Sequence, residues 1–129
     1  MAKFDPRKDQ DCASLAASLT AYALGLKAEP LLSSERGRPI EARARHIAIY
    51  LAHVALGMSL ARVARAFGHD RSTIAYACHL IEDKRDDRDF DDRLEQLSTG
   101  LSSVVLLSKA PALAGRSRFR QRAPGAHPA

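Results

Sequence analysis

The chain has no tryptophan, and four Phe and three Tyr supply only 5% of its residues as aromatics. A core so poor in rings has to be built from Ala, Leu, Ile and Val, which favours helices over sheets. No apolar run approaches the ~18 residues that a membrane span needs. Nothing hydrophobic follows the charged residues 1–9 as a secretory signal would require, so the chain reads as cytosolic. Its two cysteines, Cys12 and Cys78, lack C-x-x-C spacing and sit in apolar helical patterns. They read as reduced core thiols rather than a disulfide. No G-x-x-x-x-G-K-S/T loop is present to cradle a nucleotide. His46 and His53 stand seven apart with no H-E-x-x-H or Cys/His cluster to make them metal ligands. No nucleophile elbow occurs. The expectation is a non-enzyme without cofactor, metal or nucleotide.

What is present fills one core: 129 residues, 46% of them hydrophobic. The formal charge is +5, unevenly spread. Residues 34–71 carry seven Arg against three acids, and residues 72–108 carry four bases against eight acids. Residues 109–129 carry five bases and no acid. A basic stretch beside an acidic one marks one face that meets a polyanion and one that does not.

Hydrophobic spacing predicts helices nearly throughout. A first stripe runs Cys12, Leu15, Leu19, Tyr22, Leu26, with Gly25 near its end and Glu29-Pro30 closing the segment. A second helix opens at Pro39 and carries Ile40, Ala44, Ile47, Leu51 and Val54, ending at Gly57. Ser59 caps a short third helix with Leu60, Val63, Ala64 and Phe67. Gly68 breaks it, Asp70 caps the next, and Ile74, Ala77, Cys78 and Ile81 form the following stripe. A charged run, residues 82–92, reads as a solvated face leading to a last helix with Phe90, Leu94, Leu97, Leu101 and Val104. The expected architecture is all-α: a flexible N-terminus over 1–9, a domain of five to six helices over 10–108, and a disordered basic tail over 109–129. That tail should add affinity for any polyanion without choosing a sequence.

Residues 59–85 have the spacing of a helix-turn-helix. Ala64 is small enough for two helices to pack closely, Gly68 makes the turn four residues on, and Ile74 plugs the core six later. This leaves Arg71, Ser72, Thr73 and Tyr76 on the outer face of the second helix, near its N-terminus. Such a helix offers its first turns to base edges in the major groove, where Arg and short polar side chains suit base and phosphate contacts.

The segment Ala66-Phe67-Gly68-His69-Asp70-Arg71-Ser72-Thr73-Ile74 resembles the signature of the C-terminal DNA-binding domain (domain IV) of the bacterial replication initiator DnaA. That signature reads Gly-Gly-Arg-Asp-His-Ser/Thr-Thr-Val. Leu31-Leu32-Ser33, the Arg-rich loop through Arg38, the run from Arg43 and Arg45 through Ala52, and Ser59-Leu60 extend the resemblance over residues 10–105. The resemblance implies base reading by Asp70, Arg71 and Ser72, and phosphate contacts from Thr73 and Tyr76. It implies a minor-groove arginine at Arg36 or Arg38, since Arg is drawn to narrow A·T tracts. The backbone N–H groups of Ser59, Leu60 and Ala61 would hold a phosphate. Arg43, Arg45 and His69 complete the implied DNA-binding set.

Three departures stand out. One signature residue falls out before Asp70, so that His69 replaces Gly-Arg. Arg71 replaces the base-reading His, and His53 replaces a phosphate-binding Lys. The implied function is sequence-specific double-stranded DNA binding at DnaA-box-like sites, regulating transcription or replication from the nucleoid. The initiator and the transcription machinery are candidate protein partners. The alternative is a protein-interaction adapter that keeps the fold without reading DNA.

Overall fold

A computed structural model describes residues 4–108. The first helix, α1, spans Asp9–Leu24. Asp9 and Asp11 in its first turn complement the positive end of the helix dipole. It therefore begins inside the segment read from sequence as flexible. Residues 5–8 form a turn against it: the Asp5 N–H donates to Asp11 Oδ2 at 2.9 Å, and the Cys12 thiol donates to the Pro6 carbonyl at 3.3 Å. Gly25, at φ 70°, terminates α1 in the left-handed conformation that other residues resist.

The buried face of α1 overlaps the expected stripe only in part. Cys12, Ala13, Ala16, Ala17, Thr20 and Ala21 face inward, while Tyr22 is 86% exposed and Leu15, Leu19 and Leu26 are half-buried. The reason is close packing. α1 lies against α3 (Pro39–Val54), which buries Ala44, Ala48 and Ala52, and facing alanines let two helices approach where large side chains would hold them apart. On α3, Ala44 and Leu51 of the expected stripe are buried and Ile47 packs against the core, but Ile40 and Val54 are exposed while Ile49 and Tyr50 are buried.

A second correction falls between these helices. Glu29-Pro30 does not close a segment but opens the single-turn helix α2 (Glu29–Leu32), since proline fits the first helical turn. Leu31 of this turn is fully buried. α4 (Leu60–Phe67), α5 (Arg71–Lys84) and α6 (Arg88–Ser108) follow, so the described residues form six helices and no strand. α3 is central, touching α1, α2, α4 and α5. Phe67, Ile74 and Ile81 pack with Ile49, Tyr50 and Leu51 in one core. Cys12 is a buried cysteine and Cys78 a half-buried one.

The acidic run is only partly a solvated face. Arg85, at the end of α5, donates to Tyr50 Oη at 3.0 Å, to Asp91 at 2.5 Å and to Glu95. The Tyr50 hydroxyl donates in turn to Glu82 at 2.5 Å. Hydrogen bonds to Tyr50 and Asp91 hold the guanidinium more firmly charged than an ordinary arginine. This network ties the far end of α5 to α3 and α6, which fixes the direction in which α5 points its near end. The basic tail, residues 109–129, lies outside the described residues.

Candidate nucleic-acid interface

The two-helix unit forms as its spacing requires. The Ser59 side chain accepts the Arg62 N–H at 3.2 Å and caps α4. That leaves the first-turn N–H groups of Leu60 and Ala61 without an intrahelical acceptor and directed outward. Gly68 adopts φ 72° and makes the turn. Ala64, Phe67 and Ile74 close the interior angle, all three buried.

α4 continues through buried Phe67, and Gly68 alone adopts positive φ in the turn.

Asp70 occupies the N-cap of α5, but its side chain makes no capping bond. Its carboxylate is exposed and free among the described residues to accept from a ligand. Arg71, Ser72, Thr73 and Tyr76 are exposed beside it, Tyr76 by 61%, and none spends its side chain on a partner among the described residues. The eight carboxylates of residues 82–95 begin near the other end of this 14-residue helix, roughly 20 Å away. One end of α5 is built to attract an anion and the other to repel it.

The arginines of the preceding segment separate into three roles. Arg45 is 5% exposed; it donates to the Pro30 carbonyl at 2.6 Å and toward the Arg36 carbonyl at 3.4 Å. Burial pulls its guanidinium below the usual arginine value. It is a clip that holds the 30–36 segment onto α3, not the surface contact expected from the sequence. Arg38 pairs with Glu41 at 2.8 Å, while the same carboxylate accepts the Arg38 backbone N–H at 2.9 Å. Gly37 is required here: its φ is 70°, and a Cβ would stand 2.7 Å from Glu41 Oε1. Arg36 and Arg43 are exposed and make no side-chain bond among the described residues. Arg36, rather than Arg38, is therefore the loop arginine free to reach a ligand. Arg36→Ala should weaken binding to a narrow-groove A·T-rich duplex roughly tenfold, about 1.4 kcal/mol, and Arg38→Ala much less. Equilibrium titrations of both variants check the ranking; equal losses would contradict it.

Between this loop and α5 lies a cleft of about 470 Å³ whose lining includes Ser34, Arg36, Arg45, His46, His69, Thr73 and Tyr76. Sequence reasoning missed His46, which the helical period alone assigns to no site. It also missed Arg65, which shares a shallow surface hollow with His69, Asp70 and Thr73. His53 serves the fold, its Nδ1 donating to the Met58 carbonyl at 2.7 Å across the α3–α4 connection.

His46 and His69 are both half-buried, and burial followed by the nearby Arg45 charge lowers both imidazole pKa values. In the unfolded chain they titrate near ~6.5. The sign follows: the folded protein binds fewer protons than the unfolded chain below that value, so this stabilisation is present above ~6.5 and lost as pH falls. The melting temperature should drop between about pH 7.5 and 5.5, and the His46→Gln, His69→Gln double variant should flatten the drop. The carboxylates of Asp9 and Glu41, lowered by hydrogen bonds from Arg62 and Arg38, lose their contribution only below the usual carboxylate range near ~4.

Residues 16–81 match the family model described as the bacterial dnaA protein helix-turn-helix. The chain is 34% identical over 84 residues to the chromosomal replication initiator protein DnaA of Thermodesulfovibrio yellowstonii. That match takes in 64% of this chain and 18% of the relative. Among solved structures, the crystal structure of a DNA replication initiation factor superposes with a TM-score of 0.67 at 27% identity. It covers 77% of this chain and 30% of the other. The chain thus spans under a third of the length of either protein.

Proposed function

The chain belongs to the bacterial DnaA helix-turn-helix family, and on that premise we propose that it binds double-stranded DNA sequence-specifically. The N-terminal turns of α5 enter the major groove, and Arg36 reaches the neighbouring minor groove. The observation that carries this is the clearance around Asp70, Arg71, Ser72, Thr73 and Tyr76: five polar side chains exposed at one helix end, unspent on internal bonds. An adapter that had stopped reading DNA would have no use for free arginines at both groove-facing positions.

In this reading α5 reads bases, and the α4 N-terminus and Thr73 position the backbone. The protein regulates replication or transcription at sites related to the initiator's boxes without nucleotide hydrolysis. Arg71 stands where the signature has His. An arginine donates two parallel hydrogen bonds to guanine O6 and N7, which one imidazole cannot match. The preferred site should therefore carry a G·C pair where Arg71 points. Arg71→Ala should cost about 1–3 kcal/mol on that site and relax the choice at that pair. Affinities measured on duplexes varied one base pair at a time check this. A uniform loss across all of them would make Arg71 a phosphate grip instead.

A further inference from the structure

The cleft between the Arg36 loop and α5 has a composition that base reading does not explain. Its lining contains no carboxylate, yet it gathers two arginines and two histidines with Ser34, Thr73 and Tyr76. Two of the residues that line it carry an unpartnered polar atom: Arg45 Nε and His69 Nε2 are buried without a hydrogen-bond partner among the described residues. A buried polar atom left unpaired costs free energy unless something else satisfies it. The arrangement suits an anion.

The position agrees with the composition. Adjacent major and minor grooves are separated by one sugar-phosphate backbone. If α5 lies in the major groove and Arg36 in the minor groove, that backbone must cross the cleft between them. We propose that this cleft seats a DNA backbone phosphate against His46 and His69 and takes up a proton in doing so. DNA binding then tightens as pH falls. The inference rests on the DNA-binding reading above and adds to it a specific phosphate seat and a linked proton.

The surroundings of the two rings set the sign. From α3 they face Arg45 and each other; from the loop, Arg36 and Ser34; from α4, Arg65; from α5, Thr73, Tyr76 and Asp70. Among the described residues Asp70 is the acid acting on His69, and it favours the charged form. Glu41 acts on Arg45 rather than on the rings. Without DNA, burial and the Arg45 charge keep both imidazoles neutral at pH 7. A phosphate reverses that balance, because a protonated imidazole offers two N–H donors and a positive charge where the neutral ring offers one donor. Each linked proton tightens binding by up to about tenfold per pH unit within the window between the free and bound titrations.

The test uses the full chain and an A·T-rich duplex of ~20 base pairs carrying the preferred site, at constant ionic strength. Titration calorimetry at about pH 6 in two buffers of different ionisation enthalpy should show net uptake of roughly one proton. Affinity should rise on the order of tenfold from pH 8 to 5.5. Whatever affinity the His46→Gln, His69→Gln double variant retains for the same duplex should show no such rise. Wild-type binding with no proton uptake overturns the proposal, and the calorimetry needs no variant to fold. A double variant that keeps the full pH dependence overturns it as well. Failure of the wild type to bind the duplex at any pH would instead overturn the DNA-binding reading on which it rests.

Discussion

Raising salt from about 50 to about 200 mM should weaken binding to duplex DNA on the order of 10³-fold. The estimate follows from counterion release. A protein that neutralises Z phosphates loses affinity with a logarithmic slope near −0.9Z; with four unpaired arginines on the described surface and five bases among residues 109–129, Z is about five to eight. Arg36 in the loop, Arg43 on α3, Arg65 on α4 and Arg71 on α5 are exposed and make no salt bridge among the described residues. By contrast, Arg62 is held to Asp9 at 2.7 Å, Arg38 to Glu41, and Arg85 to Asp91 and Glu95. Paired arginines contribute less to the slope because DNA must compete with the internal acid. A slope near zero would mean that these free arginines do not meet phosphate.

Phe67→Ala should destabilise the domain by about 3–5 kcal/mol, the usual cost of emptying a phenylalanine site in a packed core. Phe67 is 1% exposed, ends α4, and packs in the cluster that includes Ile74. Removing it opens a cavity beneath the turn that aims α5. Against a typical total stability of about 5–15 kcal/mol the loss is large, and thermal melting followed by circular dichroism should show a fall of roughly 15 °C or more. Tyr22→Ala is the matched control. The hydrophobic period places Tyr22 in the core, but it is 86% exposed, so its replacement should change stability by under ~0.5 kcal/mol. If the two variants lost equal stability, the packing described for α1 and α4 would be wrong.

That pair also shows where the sequence was legible. Ala64, Gly68 and Ile74 announced the helix-turn-helix because each satisfies a local demand: close approach, positive φ, and an apolar plug at fixed spacing. Helix α5 and its exposed polar end followed directly. The burial of α1 and α3 was only partly legible by the same rule. Alanine carries little weight in a hydrophobic stripe, yet it decides how near two helices can come.

Arg45 was hidden for a different reason. Within an arginine-rich stretch it looks like another surface cation, and only the fold brings the carbonyls of Pro30 and Arg36 to its guanidinium. Arg36 and Arg38 could not be told apart from sequence because the choice rests on Glu41. That carboxylate accepts from both the backbone and the side chain of Arg38 and leaves Arg36 free. His46 joined the candidate site only when α3, the loop and α5 were brought to one cleft.

Selection from a library of randomised duplexes at near-physiological salt tests the central claim most directly. Sequence-specific reading by α5 predicts one enriched motif, related to the initiator's A·T-rich box and carrying a G·C pair that Arg71→Ala no longer selects. Retention of duplexes without enrichment of any sequence, or no retention at all, would contradict it.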